Sequence, residues 1–489
     1  MSLTLRGLAL RTLLPAFPGT RPPGWALHLV EQGLGGYALF GYNIADPAQI
    51  AALTAALRSA RDDVIIATDE EGGDVTRLCY AEGSPYPGNA ALGVVDDVEL
   101  TRGIYRAIGD ELAAAGITLD MAPAVDVNTA DDNPAIGTRS FGADPARVAA
   151  HAAAAVAGLQ SAGVAACAKH FPGHGATAMD SHHELPIVDA SRELLRAREL
   201  PPFQAAIAAG VRSVMTAHIR VPVLTGDEPA TFSAAVLITL LRDELGFTGA
   251  VISDALEMRG ASGVIGIPEA AVRALIAGND LLCFGGELAK SPEAEAVIEA
   301  SATAIVEAVR AGRLGAARLD AAVARNAALA GGSAPPAGGG SDPDLGLAAA
   351  RRALRIEGTL PEALHRGIVI QLEPPATVAV GEVPWGLAPY VTGVETVRID
   401  GNGDGGRDRA DAIAARASDR PVVVVSRDTH RHPWARSLVE LLSLRHPAVV
   451  LVEMGWPTAW RPDGARAYVA TYGASRANAR AVAEALLLP

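Results

Sequence analysis

The chain of 489 residues has few cysteines and lacks an excess of positive charge. Its three cysteines, Cys79, Cys167 and Cys283, lie far apart beside apolar runs. This spacing excludes a disulfide framework and a cysteine zinc pattern, and we expect buried thiols. Lysine and arginine number 41 against 55 acidic residues, which gives a net charge of −14. That charge argues against nucleic acid or an anionic membrane as the main partner.

Long hydrophobic runs are also absent, so no membrane span is expected. The N-terminus, MSLTLRGLALRTLLPAF, has an arginine inside its apolar part, and no A-x-A cleavage site follows. We interpret it as a first strand rather than a signal peptide. Provided that this is the full natural chain, these absences predict a cytoplasmic, reducing location. Hydrophobic residues make up 49% of the chain, which is enough for large buried cores.

Up to about residue 311, short apolar runs alternate with alanine-rich helical stretches. The predicted strands are Leu8–Leu14, Tyr37–Phe40, Val64–Thr68, Thr118–Ala122, Val164–Ala168, Ser213–Ala217, Ala250–Ser253 and Asp280–Phe284. Such alternation predicts an α/β fold, with an open doubly wound sheet as the competitor. Eight strands favour a (β/α)8 TIM barrel.

A change of composition divides the chain. Residues 331–343, GGSAPPAGGGSDP, have the glycine, proline and serine content of a linker. Residues 1–330 are therefore the predicted catalytic barrel domain. Residues 344–489 are the predicted second domain, a smaller α/β sandwich of ordinary domain size.

Polar residues follow five of the predicted barrel strands, where a TIM barrel carries its catalytic groups. They are Asp69, Asp126, Lys169 with His170, His218 and Asp254. Asp254, directly after an apolar strand, is a plausible nucleophile, and helix N-capping is its structural alternative.

The stretch from Ala168 to Pro186, AKHFPGHGATAMDSHHELP, holds four of the eleven histidines. Its proline and glycines predict a loop after the fifth strand. Crowded imidazoles in such a loop indicate an active site. Asp180 and His182 lie two residues apart, and extended backbone would place both side chains on one face. The carboxylate could then orient the imidazole for acid/base work.

Other residues suit a hydroxyl-rich or anionic ligand. Lys169, His170 and Arg139 are candidate hydrogen-bond donors, and Asp69 with Arg77 could supply an acceptor and a donor of the same pocket. Neighbouring acidic residues are interpreted as structural. Among these, Glu70, Glu71 and Asp74 are assigned to the loop and Glu257 to a helix surface.

Several motifs of the chain, taken together, resemble those of one protein family. DEEGGDVTR, APAVDVN with NPAIGTRSFG, KHFPGHGATAMDSH, MTAHI, PATFS and GFTGAVISDALEM occur in the order seen in family-3 glycoside hydrolases. The bacterial β-N-acetylglucosaminidases of that family, in their two-domain form, are the most similar branch. The resemblance covers essentially all of residues 1–330.

The resemblance implies retaining hydrolysis that needs no metal or cofactor. Asp254 would be the nucleophile, and His182 the acid/base assisted by Asp180. The residues implied to hold the terminal N-acetylglucosamine are Asp69, Arg77, Arg139, Lys169, His170 and Met258. The implied partner is a small carbohydrate, either a muropeptide or a chitin-derived oligosaccharide. Whether the chain is a monomer or a homodimer stays open.

Two positions depart from the family pattern, because Asp74 stands where arginine is common and Ala176 where aspartate is common. Three alternatives to metal-free retaining hydrolysis are kept. A neutral imidazole does not repel anions as a carboxylate does, so phosphate could replace water in a phosphorylase. The chain could instead be a sugar-binding protein without activity. The third alternative is a metal-dependent barrel hydrolase that uses His170, His174, His182, His218 and Asp254.

Overall fold

The computed structural model describes residues 4–181, 184–263, 265–331, 344–401 and 406–486. By its internal contacts the chain divides into two compact units. Unit 1 consists of Met1–Glu71, Val98–Ile136 and Gly142–Ser341, and unit 2 of Gly72–Asp97, Gly137–Phe141 and Asp342–Pro489. The predicted linker lies almost wholly outside the described residues. Within them, we find no helix with the length and apolar character that a bilayer span requires.

The strands, in chain order, are β1 (Leu13–Leu14), β2 (Gly36–Leu39), β3 (Ile65–Thr68), β4 (Leu119–Asp120), β5 (Ala165–Phe171), β6 (Ser213–Thr216), β7 (Ala250–Ser253), β8 (Leu281–Cys283), β9 (Arg355–Gly358), β10 (Ile368–Glu373), β11 (Glu395–Asp400), β12 (Val422–Ser426), β13 (Val449–Glu453) and β14 (Ala467–Ala470).

The α-helices are α1 (Leu5–Leu10), α2 (Gly24–Glu31), α3 (Pro47–Ala60), α4 (Asn89–Val95), α5 (Val98–Ala114), α6 (Pro145–Ser161), α7 (Arg192–Arg198), α8 (Leu200–Ala208), α9 (Pro222–Thr225), α10 (Arg259–Ser262), α11 (Ile267–Ala277), α12 (Gly286–Ala289), α13 (Ala294–Arg310), α14 (Ala316–Ala330), α15 (Leu345–Ala353), α16 (Gly406–Ala417), α17 (Pro433–Arg445) and α18 (Arg476–Ala485). A π-helical segment covers Ala235–Glu244.

Strands β1 to β8 form the barrel of unit 1. Their order is β1-β8-β7-β6-β5-β4-β3-β2, and every pair is parallel. The amide of Ala38 in β2 donates to the carbonyl of Pro15, directly after β1, at 2.8 Å. This bond joins the two ends of the sheet, so the predicted TIM barrel is confirmed.

The predicted first strand, Leu8–Leu14, is largely wrong. Residues Leu5–Leu10 form α1, and β1 consists of two residues. The Thr4 hydroxyl accepts a hydrogen bond from the Gly7 amide and caps this helix. A short apolar run cannot by itself distinguish a strand from a buried helix, and the cap decides here for the helix.

The amino-terminal end of the barrel is closed by α14. Leu329 and Ala330, at the end of this helix, pack with the inward side chains of the strands. The Asn326 amide donates to the carbonyl of Asp280, just before β8, at 2.8 Å. The carboxyl-terminal end, where the polar strand-end residues lie, is therefore the end available for chemistry.

Unit 2 is built on a second sheet with strand order β11-β10-β12-β13-β14-β9. All pairs are parallel except β14 with β9. The four inner strands, β10, β12, β13 and β14, are buried along almost their whole length and are mainly apolar, as in Val422–Ser426, whereas the edge strands β9 and β11 are exposed or partly exposed. Helices α16 and α17 cover one face and α18 the other. The predicted α/β sandwich is confirmed.

Candidate active site

Lys169 occupies the end of β5 and is held by two carboxylates. Its Nζ lies 2.7 Å from Asp69 Oδ1 and 2.7 Å from Glu71 Oε1. The side chains of Lys169 and Glu71 are each 2% exposed, whereas that of Asp69 is 17% exposed. A buried ammonium group requires such partners to offset its lost hydration. Glu71, which the sequence suggested to be a structural loop residue, is thus a direct partner of a candidate sugar-binding lysine.

A third carboxyl group, that of Asp120, is buried nearby at the end of β4. Its Oδ1 accepts a hydrogen bond from the Glu70 amide at 2.9 Å. Burial raises the pKa of Asp120 well above its ordinary value, and the charge of Lys169 only partly opposes this. Burial therefore favours the neutral form of Asp120, which limits the negative charge around Lys169.

Asp126 fixes the start of the histidine loop. Its carboxylate accepts hydrogen bonds from His170 Nδ1 at 2.8 Å and from the His174 amide at 2.7 Å. Burial acts to raise the pKa of Asp126, but the charge and hydrogen bond of His170 outweigh it, and the pKa lies below its ordinary value. An ionised carboxylate only accepts, so His170 Nδ1 is the donor in this bond.

His174 connects β5 to the DSH segment. Its ring is buried, and Nε2 lies 3.2 Å from the hydroxyl of Ser181. Burial lowers the pKa of His174 to about 4, so the ring is neutral at physiological pH. Ser181 separates the predicted acid/base pair, of which Asp180 is half-buried. His182 lies outside the described residues.

Asp254 is the first residue after β7 and is half-buried. Its Oδ1 accepts a hydrogen bond from the Ala255 amide at 2.7 Å. This bond from the adjacent amide is not the helix cap that the sequence offered as an alternative, because the next helix, α10, begins at Arg259 and has Met258 as its N-cap. The same turn carries Met258, whose amide donates to the Ala255 carbonyl at 3.1 Å. The bond to the Ala255 amide orients the Asp254 carboxylate without preventing nucleophilic attack.

Glu257 was interpreted from the sequence as helix surface, and this is wrong. Its Oε2 accepts a hydrogen bond from the Gly285 amide, after β8, at 2.8 Å. A Cβ added at Gly285 would lie 2.3 Å from Glu257 Oε1, so a larger residue there would displace the Glu257 side chain. Burial raises the pKa of Glu257, and the negative charge of Asp254 adds to the shift.

The thiol of Cys283, at the end of β8, shows that these charged groups converge. Burial raises its pKa well above the ordinary value, and the charges of Glu257 and Asp254 raise it further. Asp69 and Lys169 also act on this thiol, Asp69 raising and Lys169 lowering the pKa. The candidate nucleophile and the lysine pair therefore lie around the same end of the barrel.

His218, one of the ligands in the metal alternative, has both ring nitrogens engaged. Nδ1 lies 2.7 Å from the Thr231 hydroxyl, and Nε2 lies 3.0 Å from the carbonyl of Ala255. These contacts support the loop after β7 rather than a ligand. In the part of the chain that the structure describes, no group of three or more His, Cys, Asp or Glu residues is arranged to hold a metal ion.

Two of the predicted sugar-binding residues belong to unit 2 and not to unit 1. Arg77 is buried and donates to the carbonyl of Ala379 at 2.8 Å. Arg139 ends the 3₁₀ turn Gly137–Arg139, and its carbonyl accepts a hydrogen bond from the Asn89 side chain at 2.7 Å.

The matches to known proteins agree with this architecture. Residues 26–329 match the family model described as the glycosyl hydrolase family 3 N-terminal domain. The chain belongs to glycosyl hydrolase family 3. This family-3 chain is 37% identical to β-hexosaminidase A of Pseudoalteromonas piscicida over 284 residues, which are 54% of the chain and 47% of that protein. It is 41% identical to a β-hexosaminidase of Xylella fastidiosa over 49% of the chain and 73% of that protein.

A solved structure matches the entire length. The family-3 β-N-acetylglucosaminidase from Paenibacillus sp. str. FPU-7 has a TM-score of 0.87 and 32% sequence identity to this chain. The match covers 99% of the chain and 97% of that protein, so both units share its architecture.

Three polar residues of the site had no role in binding or catalysis assigned to them from the sequence. Glu71 pairs with Lys169, Asp126 sets the His170 tautomer, and Ser181 bonds His174. Asp126 was detectable as a polar residue after a strand. The other two were not, because their partners come from distant positions or from the path of an irregular loop.

Proposed function

We propose that this family-3 protein is a retaining exo-β-N-acetylglucosaminidase. The observation that carries the proposal is Asp254, half-buried directly after β7, at the barrel end that also bears the Lys169–Asp69 pair. The family membership and the hexosaminidase relatives support the same assignment. The full-length similarity to a β-N-acetylglucosaminidase supports the choice of sugar.

The reaction takes two steps. In the first, the Asp254 carboxylate attacks the anomeric carbon while His182 gives a proton to the departing oxygen, and the sugar becomes esterified to Asp254. In the second, His182 removes a proton from water, which attacks the same carbon and releases Asp254. Asp180 orients the imidazole and stabilises its charged form.

Charged side chains hold the terminal sugar. The carboxylate of Asp69 accepts from sugar hydroxyls, and the Nζ of Lys169 donates to them. The paired carboxylates keep Lys169 oriented, so little side-chain entropy is lost on binding. The full set comprises Asp69, Arg77, Arg139, Lys169, His170 and Met258.

Muropeptides or chitin-derived oligosaccharides are the proposed substrates, and with muropeptides the reaction would serve peptidoglycan recycling in the cytoplasm. Phosphate is the alternative acceptor. A neutral His182 would not repel it from the glycosyl-enzyme, and the products would then be those of a phosphorylase.

Incubation with nitrophenyl β-N-acetylglucosaminide, with and without phosphate and EDTA, tests the proposal. We expect free N-acetylglucosamine in every arm, whereas N-acetylglucosamine 1-phosphate would identify a phosphorylase. A loss of activity in EDTA that zinc restores would contradict the metal-free mechanism. A slow fluorinated sugar should label Asp254, and mass spectrometry that locates the label on Glu257 would overturn the nucleophile.

A further inference from the structure

The histidine loop after β5 is fixed to the loop after β4 at two consecutive residues. The His174 amide donates to the Asp126 carboxylate at 2.7 Å, and the Asn133 side chain donates to the His174 carbonyl at 2.9 Å. The Gly175 carbonyl then accepts from the Thr129 amide at 3.1 Å. All of these residues belong to unit 1. The backbone that carries the His174 ring is therefore held on both sides of the ring.

From this fixed backbone the His174 side chain reaches forward to Ser181. Its Nε2 lies 3.2 Å from the Ser181 hydroxyl, and the two residues are 2% and 3% exposed. A hydroxyl both donates and accepts, so either neutral tautomer of the ring makes this bond. Because both groups are buried, the loss of one partner leaves the other without a hydrogen bond, at a cost in free energy. The contact therefore ties Ser181 to the end of β5.

Ser181 stands between the two residues assigned to acid/base chemistry, Asp180 and His182. Neighbouring residues move together, because consecutive Cα atoms are held about 3.8 Å apart. A general acid must lie within hydrogen-bond reach of the departing oxygen, and a misplacement of about 1 Å costs about 10²-fold in rate. An anchor at Ser181 is thus in a position to control where His182 acts.

The His174 ring is better suited to hold a neighbour than to transfer a proton. Burial lowers its pKa to about 4, and the charges of Asp126 and Asp254 offset this only in part. The ring is therefore neutral at physiological pH, whereas a general acid works best with a pKa near the working pH. Since its protonation state is constant there, its bond to Ser181 persists across the neutral range.

We propose that His174 is a positioning residue for the acid/base histidine. Through Ser181 it holds the segment from Asp180 to His182 at the carboxyl end of the barrel. This inference rests on the proposed function, which assigns Asp180 and His182 to the proton transfer. It gives His174 a role that is exerted through another residue and not on the sugar itself.

Ser181→Ala tests the anchor with the loss of a single oxygen atom. The substitution should lower kcat/KM for chitobiose about tenfold, roughly the value of one buried hydrogen bond. For a dinitrophenyl glycoside, whose leaving group departs without a proton, kcat/KM should change by less than about twofold. Equal losses on the two substrates would overturn the proposal, and so would an unchanged value for chitobiose.

Two substitutions of His174 separate its hydrogen bond from its volume. His174→Gln keeps a group that can bond to Ser181, whereas His174→Leu fills a similar space without one. The leucine variant should lose about tenfold on chitobiose and the glutamine variant clearly less. Adding Ser181→Ala to His174→Leu should cost nothing further, because the bond is already absent. If glutamine loses as much as leucine, or if the losses add, the bond has no part in catalysis and the proposal is wrong.

His151→Leu is the matched control in unit 1. His151 is buried in α6, and its Nδ1 lies 2.8 Å from the hydroxyl of Thr101 in α5, so it forms a histidine–hydroxyl pair of the same kind. Its substitution should lower the melting temperature and leave the ratio of the two kcat/KM values unchanged. If it changes the ratio as much as Ser181→Ala does, the ratio reports general destabilisation and the proposal fails.

The outcomes distinguish this inference from the proposed function. If wild type cleaves neither substrate, the proposed function itself fails. If wild type cleaves both and His182→Ala depends on the leaving group but Ser181→Ala does not, the positioning role alone fails. Labelling of Asp254 by a fluorinated sugar, measured by mass spectrometry, verifies that each variant is folded. Should His174→Leu not fold, Ser181→Ala and His174→Gln still decide the question.

Discussion

The carboxyl edges of the two parallel sheets use buried acidic groups in different ways. In unit 1, Asp69 bonds to the side chain of Lys169, and Asp126 bonds both to the side chain of His170 and to the His174 amide. In unit 2, Glu453 accepts three of its four hydrogen bonds from backbone amides and the fourth from the Thr429 hydroxyl. Bonds to ionisable side chains set charge and tautomer, whereas bonds from backbone amides set the course of the chain.

This difference shows what a polar residue at a strand end does and does not indicate. Asp254 and Glu453 both stand at the carboxyl end of a buried apolar strand, and their sequence contexts look alike. Burial distinguishes them, because Asp254 is half-buried at the barrel end whereas Glu453 is buried and accepts four hydrogen bonds. Substitutions at the two edges should therefore have separable effects, on turnover in unit 1 and on stability in unit 2.

The largest expected effect is that of Asp254→Asn. Because the covalent step requires this carboxylate, turnover should fall by at least about 10⁴-fold while the fold and sugar binding persist. Initial rates with an aryl glycoside, together with circular dichroism, measure both. If turnover falls by less than about tenfold, Asp254 does not form the intermediate. Substitutions at the two sheet edges would then no longer differ in their effect on turnover.

His182→Ala should depend on the leaving group. Removing a general acid costs about 10²–10⁴-fold where the departing oxygen needs a proton, and much less for a dinitrophenyl leaving group. Azide should partly restore turnover, and Asp180→Asn should show a milder form of the pattern. His28→Ala, at an exposed position of α2, is the control. If turnover falls equally on both substrates and azide does not restore it, His182 is not the acid/base. Another residue of the loop then has this role, and His174 is the first candidate.

Glu453→Ala should act on stability. The substitution leaves buried donors at Asp428, Thr429 and Gly455 without their acceptor, and we expect a loss of about 3 kcal/mol in the free energy of unfolding. Labelling of Asp254 by a fluorinated sugar should persist in the folded variant. Glu484→Ala, which removes exposed ion pairs with Arg351 and Arg480, should cost less than about 1 kcal/mol. Similar urea midpoints for the two variants would contradict the structural role of Glu453.

An effect confined to one pH range is expected at a buried carboxyl beneath the histidine loop. A Cβ added at Gly173 would lie 2.6 Å from Glu199 Oε2, and Arg198 Nε donates to Oε1 at 2.6 Å. Burial raises the pKa of Glu199 from 4.5 to about 7, against the lowering effect of Arg198. The protonated form therefore stabilises the fold below pH 4.5, and this contribution is lost as the pH rises through 7.

Glu199→Gln keeps the shape and removes the titration. Urea midpoints should be similar for wild type and variant at pH 4.5 and should favour the variant at pH 8, by up to roughly 3 kcal/mol in unfolding free energy. Parallel pH profiles of the two proteins would mean that Glu199 does not titrate in this range.

Much of this arrangement is predictable from local sequence. Seven of the eight predicted barrel strands coincide with observed strands to within a few residues, because buried parallel strands are short apolar runs bounded by breakers. The exception, Leu8–Leu14, contains a short helix whose cap, Thr4, lies outside the run. The loop after β5 is predictable from its proline and glycines, and Asp254 from its place after an apolar strand.

Tertiary structure decided the rest. The sequence determined which residue types stand at the strand ends, since this depends on neighbours in the chain. Residues distant in sequence decide whether Glu71 pairs with Lys169 and whether Glu257 bonds to the Gly285 amide. They also decide that Arg77 and Arg139 belong to unit 2. The sequence shows that a residue is acidic but not whether its carboxyl group is charged in the folded protein. Its partners and its desolvation, which fix its charge, exist only once the chain has folded.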